Sequence, residues 1–369
     1  MDLQFLRPLY ETDAPVATVY LDTSRDSHDA ARRIEVRWRS LRRSLSEQGA
    51  EEVTLAALDE AVGGGEHIPG PQGEALFAAE GRLLGAYTLA QPPAFDTATH
   101  GPVADPLVLA IDYDHQLPYV VVAIDRAGAD VDGYPAVSAQ PSFQRSFAGS
   151  TWHLTKVRGG AEAQATYHRR SENLWSENAA QTAADIRAAI DAVSAEVVFV
   201  AGDPKAIGML REHLGERLLE DRVVFVHGGR ADEGSLATLR ESVDAGMDVA
   251  MRQSHRAVLD AFEAKLAGGL ALQGMPAVME ALSEGRVETL LLAADRDQDP
   301  ELYALRDEPI ALGTAPTSFG EGAESFSAPA AALLLRSAAF GDAAFTEILP
   351  PEGAERTPIE DGVAAILRY

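Results

Sequence analysis

The sequence predicts an α/β protein made of three consecutive domains, and three observations predict it. Short runs of β-branched and apolar residues recur along the chain, among them Pro15–Leu21, Tyr119–Ile124, Glu196–Ala201 and Val287–Leu292. Between them lie stretches whose apolar residues repeat at helical spacing, so strands and helices alternate. At 369 residues the chain has length for two or three separate cores. An apolar content of 46% and a charged content of 24% belong to an ordinary globular protein. The absence of cysteine excludes disulfides, thiolate zinc sites and a cysteine nucleophile. Met1–Pro8 has no basic leader pattern, and no stretch approaches the roughly 20 apolar residues of a membrane span, so a soluble, cytoplasmic protein is expected. The net charge of −26 argues against a general nucleic-acid binder, but it leaves room for a site-specific one whose few cations cluster.

Residues 1–116 read as the first α/β domain. Its first strand is Pro15–Leu21. From Arg25 to Arg43, seven arginines (Arg25, Arg32, Arg33, Arg37, Arg39, Arg42, Arg43) stand against Asp26, Asp29 and Glu35, a local balance of +4. Ile34, Trp38, Leu41 and Leu45 make one apolar stripe of a helix, and Arg32, Arg39 and Arg43 fall on the opposite face. That face is either a solvated helix back or a ridge that meets phosphates. Arginine suits the second role because its planar fork engages phosphate oxygens in pairs. Glu74–Leu89 carries a hairpin signal, and the proline-containing Gln91–Pro106 reads as a surface loop.

Residues 117–245 read as the second domain. Tyr119–Ile124 and Ala129–Val131 flank the turn sequence Asp125-Arg126-Ala127-Gly128. A second basic cluster follows, with Lys156, Arg158, His168, Arg169 and Arg170 around the breaker Gly159-Gly160. A helix is expected from about Ala165 to Val193, with Tyr167, Leu174 and Ile186 facing inward. The strand Glu196–Ala201, a helix from Pro204 and the strand Arg222–Val226 complete a βαβ unit.

Residues 246–369 read as the third domain, with helices at Val249–Ala267, Gly274–Glu284 and Pro329–Phe340 and strands at Val287–Leu292 and Ala344–Leu349. A central acidic loop holds Asp295, Asp297, Asp299, Glu301, Asp307 and Glu308; it suits a protein partner better than RNA. The helix ending Ala281-Leu282-Ser283, the run Glu284-Gly285-Arg286-Val287-Glu288-Thr289-Leu290-Leu291-Leu292 and the closing Asp361-Gly362-Val363-Ala364-Ala365-Ile366-Leu367-Arg368-Tyr369 carry a resemblance. They resemble the C-terminal domain of the archaeal–eukaryotic class-1 release factor and Pelota family, and most of all its bacterial branch.

The resemblance implies a ribonuclease H-like middle domain and a C-terminal α-β-α sandwich like that of small RNA-binding ribosomal proteins. It also implies work in the ribosomal A site. Strand, glycine loop and basic helix stand where such factors carry a Gly-Gly-Gln tip, but Ala161 follows Gly159-Gly160 here, and Gln164 comes three residues later. The first domain has no Asn-Ile-Lys-Ser run and no Tyr-Cys motif for reading stop codons. The expected function is therefore A-site binding without peptide release, in ribosome hibernation or protection. Arg32, Arg39 and Arg43 would lie near the decoding site, and Lys156, Arg158, Gly159, Gly160, His168, Arg169 and Arg170 toward the peptidyl-transferase end. The alternative is a ribosome-rescue peptidyl-tRNA hydrolase or tRNA-end nuclease. Ribosomal RNA is the expected partner, with a translational GTPase such as elongation factor Tu as a second and no membrane.

Other chemistry is weakly signalled, and no catalytic residue, cofactor or metal ligand is expected. Gly202-Asp203-Pro204-Lys205 lacks the phosphate-loop spacing and reads as a plain strand-to-helix turn. Asp125 stands where ribonuclease H-like nucleases place a metal-binding acid, yet one acid is not a two-metal site. The nine histidines show no His-x-x-x-His pair. Ser254, His255 and Asp260 do not make a triad, because neighbours in a helix point apart.

Overall fold

The computed structural model describes residues 1–25, 28–64, 70–138, 140–148, 161–295, 299–320, 322–350 and 359–369, without the side chains of 148 and 161–174. The chain is mixed α/β and forms two compact units. One is Met1–His115 with His255–Tyr369, and the other is Gln116–Ser254. No helix among the described residues is long and apolar enough to cross a membrane.

The first segment begins with a short 3-10 helix (Gln4–Tyr10). It continues with β1 (Val16–Asp22), α1 (Ala30–Glu47), α2 (Glu52–Ala61), β2 (Gly73–Ala79), β3 (Arg82–Leu89), β4 (Thr97–Gly101) and α3 (Leu107–Asp114). Its strands form an antiparallel sheet in the order β3-β2-β1-β4. Side chains alternate across a strand, so Ala17, Val19 and Leu21 join the core under α1 and α2, while Val16 and Tyr20 join the core on the other face. Ile34, Trp38, Leu41 and Leu45 are all buried, as their spacing predicts, and pack with Leu55 and Leu58 of α2. Glu80 and Gly81 join β2 to β3 with φ of 50° and 73°. That two-residue turn matches the twist of a hairpin, and glycine adopts its second position freely. Gln91–Pro106, expected as a loop, contains β4. The prolines fall outside the stretch that pairs with β1, and the threonines Thr97 and Thr99 favour an edge strand.

The second unit holds β5 (Tyr119–Ile124), β6 (Gly128–Tyr134), β7 (Phe143–Ala148), α4 (Ala161–Val193), β8 (Val197–Gly202), α5 (Pro204–Leu214), α6 (Glu216–Asp221), β9 (Val223–Phe225) and the first part of α7 (Glu233–Ala267). The sheet order is β7-β6-β5-β8-β9, with β5, β8 and β9 parallel and β6 antiparallel to both of its neighbours. This is the ribonuclease H-like sheet. Ile186, Ile190 and Leu210 of α4 and α5 cover one face, and Leu239 and Val243 of α7 cover the other. Helix α7 starts well before the expected Val249. Gly246 lets the helix approach the sheet: a Cβ would come within 2.6 Å of the Phe199 ring. Of the residues expected to face inward from α4, Ile186 is fully buried, and the side chains of Tyr167 and Leu174 lie outside the described residues.

The last segment contributes β10 (Ala271–Gln273), α8 (Met275–Ser283), β11 (Val287–Ala293), β12 (Glu301–Leu305), β13 (Leu312–Gly313), β14 (Ser325–Pro329), α9 (Ala330–Phe340), β15 (Ala344–Ile348) and β16 (Val363–Leu367). The main sheet runs β10-β16-β11-β15. Phe262 near the end of α7 packs with Leu291, Ala364 and Ile366 on one face. Helices α8 and α9 bury Val278, Leu282, Leu333 and Leu334 on the other. The result is an α-β-α sandwich. The acidic stretch expected as a loop holds β12 instead, in a small antiparallel sheet ordered β13-β12-β14; its Leu302 and Ala304 turn inward and are buried. Leu3, Leu6, Leu9, Tyr20 and Phe77 share one continuous core with α8 and α9, so the first and last segments fold together.

Candidate nucleic-acid interface

Helix α1 carries six arginines and two glutamates, and the structure divides the arginines by role. Arg37 is held by Asp22 at 2.7 Å and Asp96 at 3.3 Å. Arg42 is paired with Glu52 and with Asp59, the latter at 3.0 Å. Just before the helix, Arg25 donates to the Gly63 carbonyl at 3.0 Å. These three arginines staple α1 and its approach to the domain.

The face opposite the apolar stripe is different. Arg39 and Arg43 are 71% and 82% exposed, and each pairs with an acid one turn away on the same helix, Glu35 at 2.8 Å and Glu47 at 2.9 Å. Arg32 is exposed and has no ion-pair partner among the described residues. Beside it opens a hollow lined by Asp29, Arg32, Arg33, Val36 and Arg37. Exposed pairs within a helix contribute only about 0.3–0.5 kcal/mol. A phosphate meeting this face would therefore displace the glutamates at small cost.

The second basic cluster is only partly described. Lys156, Arg158, Gly159 and Gly160 lie outside the described residues, and for His168, Arg169 and Arg170 only the helical backbone of α4 is described. That backbone starts at Ala161, so Gln164 sits within the first turn of the helix.

The weaker motifs resolve into local structure. Asp203 caps α5, accepting the amides of Lys205 at 2.9 Å and Ala206 at 3.2 Å, and pairs with Arg126 at 2.9 Å. The Arg126 hydrogen bond and the two amides hold the Asp203 carboxyl below its ordinary range, against a smaller opposing effect of burial. This is a strand-to-helix turn with its anion position filled by its own side chain. Asp125 accepts the amides of Ala127 at 2.6 Å and Gly128 at 2.8 Å within its turn. Arg230 lies 3.9 Å from Asp125 and 3.1 Å from Asp130, placing a cation where a nuclease would need a metal.

One constellation has no counterpart in the sequence reading. In the first unit, His115, His255 and Glu347 bring ligand-type atoms within 4.8 Å of one another. Asp114 adds a carboxylate whose Oδ2 is 3.0 Å from His255 Nε2 and accepts the Glu347 amide at 2.7 Å. His115 Nε2 is hydrogen-bonded to Glu347 Oε2. Burial pulls the His115 pKa down, but the hydrogen bond and charge of Glu347, with Asp114 and Asp112 behind it, raise it overall. These residues come from α3, α7 and β15 and are far apart in the chain, so no spacing pattern reveals them. The pairing of the first segment with β15, in which Phe345 donates its amide to the Met1 carbonyl at 2.8 Å, is what brings them together.

Against known proteins, residues 118–268 match the family model described as bacterial archaeo-eukaryotic release factor family 2. Two Mycobacterium tuberculosis proteins, MT2704 of strain CDC 1551 / Oshkosh and Rv2629 of strain H37Rv, are each 29% identical over 377 residues. The alignments cover 99% of this chain and 96% of theirs. Among solved structures, the archaeal termination factor aRF1 is 16% identical with a TM-score of 0.26, covering 99% of this chain and 96% of its own. Archaeal Pelota, from a model of its ribosome-bound state with ABCE1, is 15% identical with a TM-score of 0.39, covering 100% and 94%. Saccharomyces cerevisiae Dom34, a termination-like factor interacting with Hbs1, is 12% identical with a TM-score of 0.39, covering 81% and 79%.

Proposed function

We propose, starting from the match of residues 118–268 to the bacterial archaeo-eukaryotic release factor family 2, that this chain is a cytoplasmic, ribosome-associated translation factor that binds the A site without releasing the peptide. Ribosome hibernation or protection is the outcome such binding serves. The observation that carries the reading is the exposed arginine face of α1. On a chain of net charge −26, three guanidinium groups are kept on one helix face, opposite the buried stripe, where they take no part in packing the core and two of them make only exposed pairs within the helix. A structured RNA phosphate backbone is the ligand that rewards such a ridge. Absence of release follows from Ala161, which offers no polar group beside Gly159-Gly160 to position water. The same reading gives ribosomal RNA as first partner and a translational GTPase such as elongation factor Tu as the delivering one.

The test is sedimentation of the purified protein with 70S ribosomes from stationary-phase cells. It should pellet with them at low salt, and the Arg32→Gln, Arg39→Gln, Arg43→Gln triple variant should stay largely in the supernatant. Failure of the unaltered protein to pellet at any salt would overturn the proposal.

A further inference from the structure

Buried histidines satisfy both ring nitrogens, because an unmet buried polar atom costs about 1–3 kcal/mol. His255 does not. It is 3% exposed, and neither Nδ1 nor Nε2 makes a hydrogen bond of acceptable geometry. Asp114 Oδ2 is close to Nε2, at 3.0 Å, but off the line of any N–H. The surroundings hold an excess of negative groups. Glu347 is 4% exposed and Asp114 is 7% exposed. The cation nearest Asp114, apart from histidine, is the Met1 amine, 3.5 Å from Oδ1. A purely protonic arrangement gives His115 to Glu347 and the Met1 amine to Asp114. It leaves His255 with two buried nitrogens and, beside them, only the misaligned Asp114 carboxylate.

We propose that His115, His255 and Glu347 form a divalent transition-metal site of the zinc class, with Asp114 beside His255 orienting it. Two imidazoles and a carboxylate are the donor set that zinc-class ions take when thiolates are absent, and this chain has no cysteine. The three ligand atoms lie within 4.8 Å of one another, close enough to meet around one ion after small side-chain shifts. The His115 and His255 rings lie 5.3 Å apart and are tilted by 53°, so they are neighbours without being stacked. Asp114 Oδ2, 3.0 Å from His255 Nε2, is placed to fix the ring of His255, an outer role common in metal sites. A divalent ion would neutralise Glu347 and satisfy His255 in one step.

The site is structural. His115 ends the first chain segment of the unit and His255 begins the second. Glu347 lies on β15, in the main sheet of the last segment. One ion would clasp all three. The inference is independent of ribosome binding.

The experiment uses the full-length protein without any histidine tag, stripped with chelator and dialysed. Titration with Zn²⁺ should saturate at one ion per chain and raise the Tm. Co²⁺ should bind at the same stoichiometry with visible ligand-field absorption, and Zn²⁺ should displace it. His255→Asn and Glu347→Gln should each abolish that absorption. Because either buried variant can misfold, His115→Gln, at a half-buried position, is the second test and should weaken Co²⁺ binding at least tenfold with the circular dichroism spectrum retained. A folded wild-type protein with no Co²⁺ absorption and an unchanged Tm at excess metal would overturn the proposal. Full absorption in the folded His115→Gln variant would do the same.

Discussion

Arg39 Nη2 stands 2.8 Å from Glu35 Oε1, one turn back on the exposed face of α1, and Arg43 repeats the contact with Glu47 at 2.9 Å. The ridge is therefore partly neutralised in the free protein by its own helix. An RNA phosphate must compete with a carboxylate for each of these two guanidinium groups. Replacing Glu35 and Glu47 with Gln removes the competitors. Ribosome binding should tighten by roughly 2- to 5-fold at low salt, the size of an exposed pair or two. Stability should fall by less than about 1 kcal/mol, since these are surface pairs within one helix. Fluorescence anisotropy with labelled protein and 70S ribosomes measures the first, and thermal unfolding the second. Unchanged or weaker binding in the double variant would mean that the arginines do not meet the ligand.

The salt dependence should report the same three arginines. Each phosphate that is no longer neutralised lowers the slope of log affinity against log salt by about 0.7–0.9. Replacing Arg32, Arg39 and Arg43 together with Gln should flatten that slope by roughly two to three. The Tm should hardly move, because the buried stripe of Ile34, Trp38, Leu41 and Leu45 is on the other side of the helix. An identical slope in the variant would return the ridge to an ordinary solvated face.

Gly202 is where the second unit is least forgiving. It ends β8 with φ at 138°, and a Cβ there would fall 1.8 Å from the Ile124 carbonyl oxygen of β5. That oxygen also accepts the Asp203 amide at 3.0 Å, so the neighbour has no room to yield. Gly202→Ala should destabilise the unit by more than about 3 kcal/mol, through strain and a broken strand pairing. Gly208, inside α5, has nothing within 4 Å of an added Cβ. Gly208→Ala should stabilise by about 0.5–1 kcal/mol through helix propensity alone. Urea unfolding followed by circular dichroism separates the two, and equal effects would contradict the geometry.

Much of this fold was legible because its signals are local. The Ile34–Trp38–Leu41–Leu45 stripe, the Glu74–Leu89 hairpin and the runs Val197–Gly202 and Val287–Ala293 need only spacing and turn residues to be read. The misses share a cause. Thr97–Gly101 becomes a strand only because β1 offers an unpaired edge. The stretch 233–248 is helical although the sequence predicts the helix only from Val249, and Gly246 within it makes room for the Phe199 ring of the sheet. Glu301–Leu305 looks solvated by charge, yet Leu302 and Ala304 alternate into the core. At the site level, the arginine face followed from helical periodicity. The pairing of Arg39 and Arg43 with glutamates on the same helix was equally readable and weighs against a simple count of cations. The His115–His255–Glu347 cluster was not readable, because tertiary packing alone brings its residues together.

Asp105 gives a pH dependence with a definite sign. Burial, and to a lesser degree the charge of Asp299, raises its carboxyl pKa, against the smaller lowering effect of the Leu107 amide. A folded pKa above the unfolded value of 3.8 means the native state prefers the protonated acid. Its contribution is fully present below the unfolded value and is lost as pH rises through the folded one. Asp105→Asn keeps an acceptor for the Leu107 amide, which lies 3.4 Å from Oδ1, and removes the charge. The variant should be more stable than the parent at pH 7.5, and the gain should vanish near pH 4. Urea unfolding at the two pH values measures it. An equal gain at both would assign the effect to something other than ionisation.

Hydrolysis of peptidyl-tRNA should be absent. Attack of water on the ester needs a polar group that holds the water and donors that meet the developing oxyanion. Ala161 directly follows Gly159-Gly160 and is the first helical residue of α4, so its position offers a methyl group where such chemistry would want an amide side chain. Gln164 is three residues on, within the first turn of the same helix and no longer adjacent to the glycine pair. Purified protein added in stoichiometric amounts to ribosomes carrying labelled peptidyl-tRNA should therefore leave the ester intact, and Gln164→Ala should change nothing. Ala161→Gln, which recreates the Gly-Gly-Gln order, is the informative gain-of-function arm, and slow release from that variant alone would show that the missing side chain is the reason. Release by the unaltered protein that disappears in Gln164→Ala would instead make this chain a rescue hydrolase that uses a displaced glutamine, and would overturn the binding-only reading.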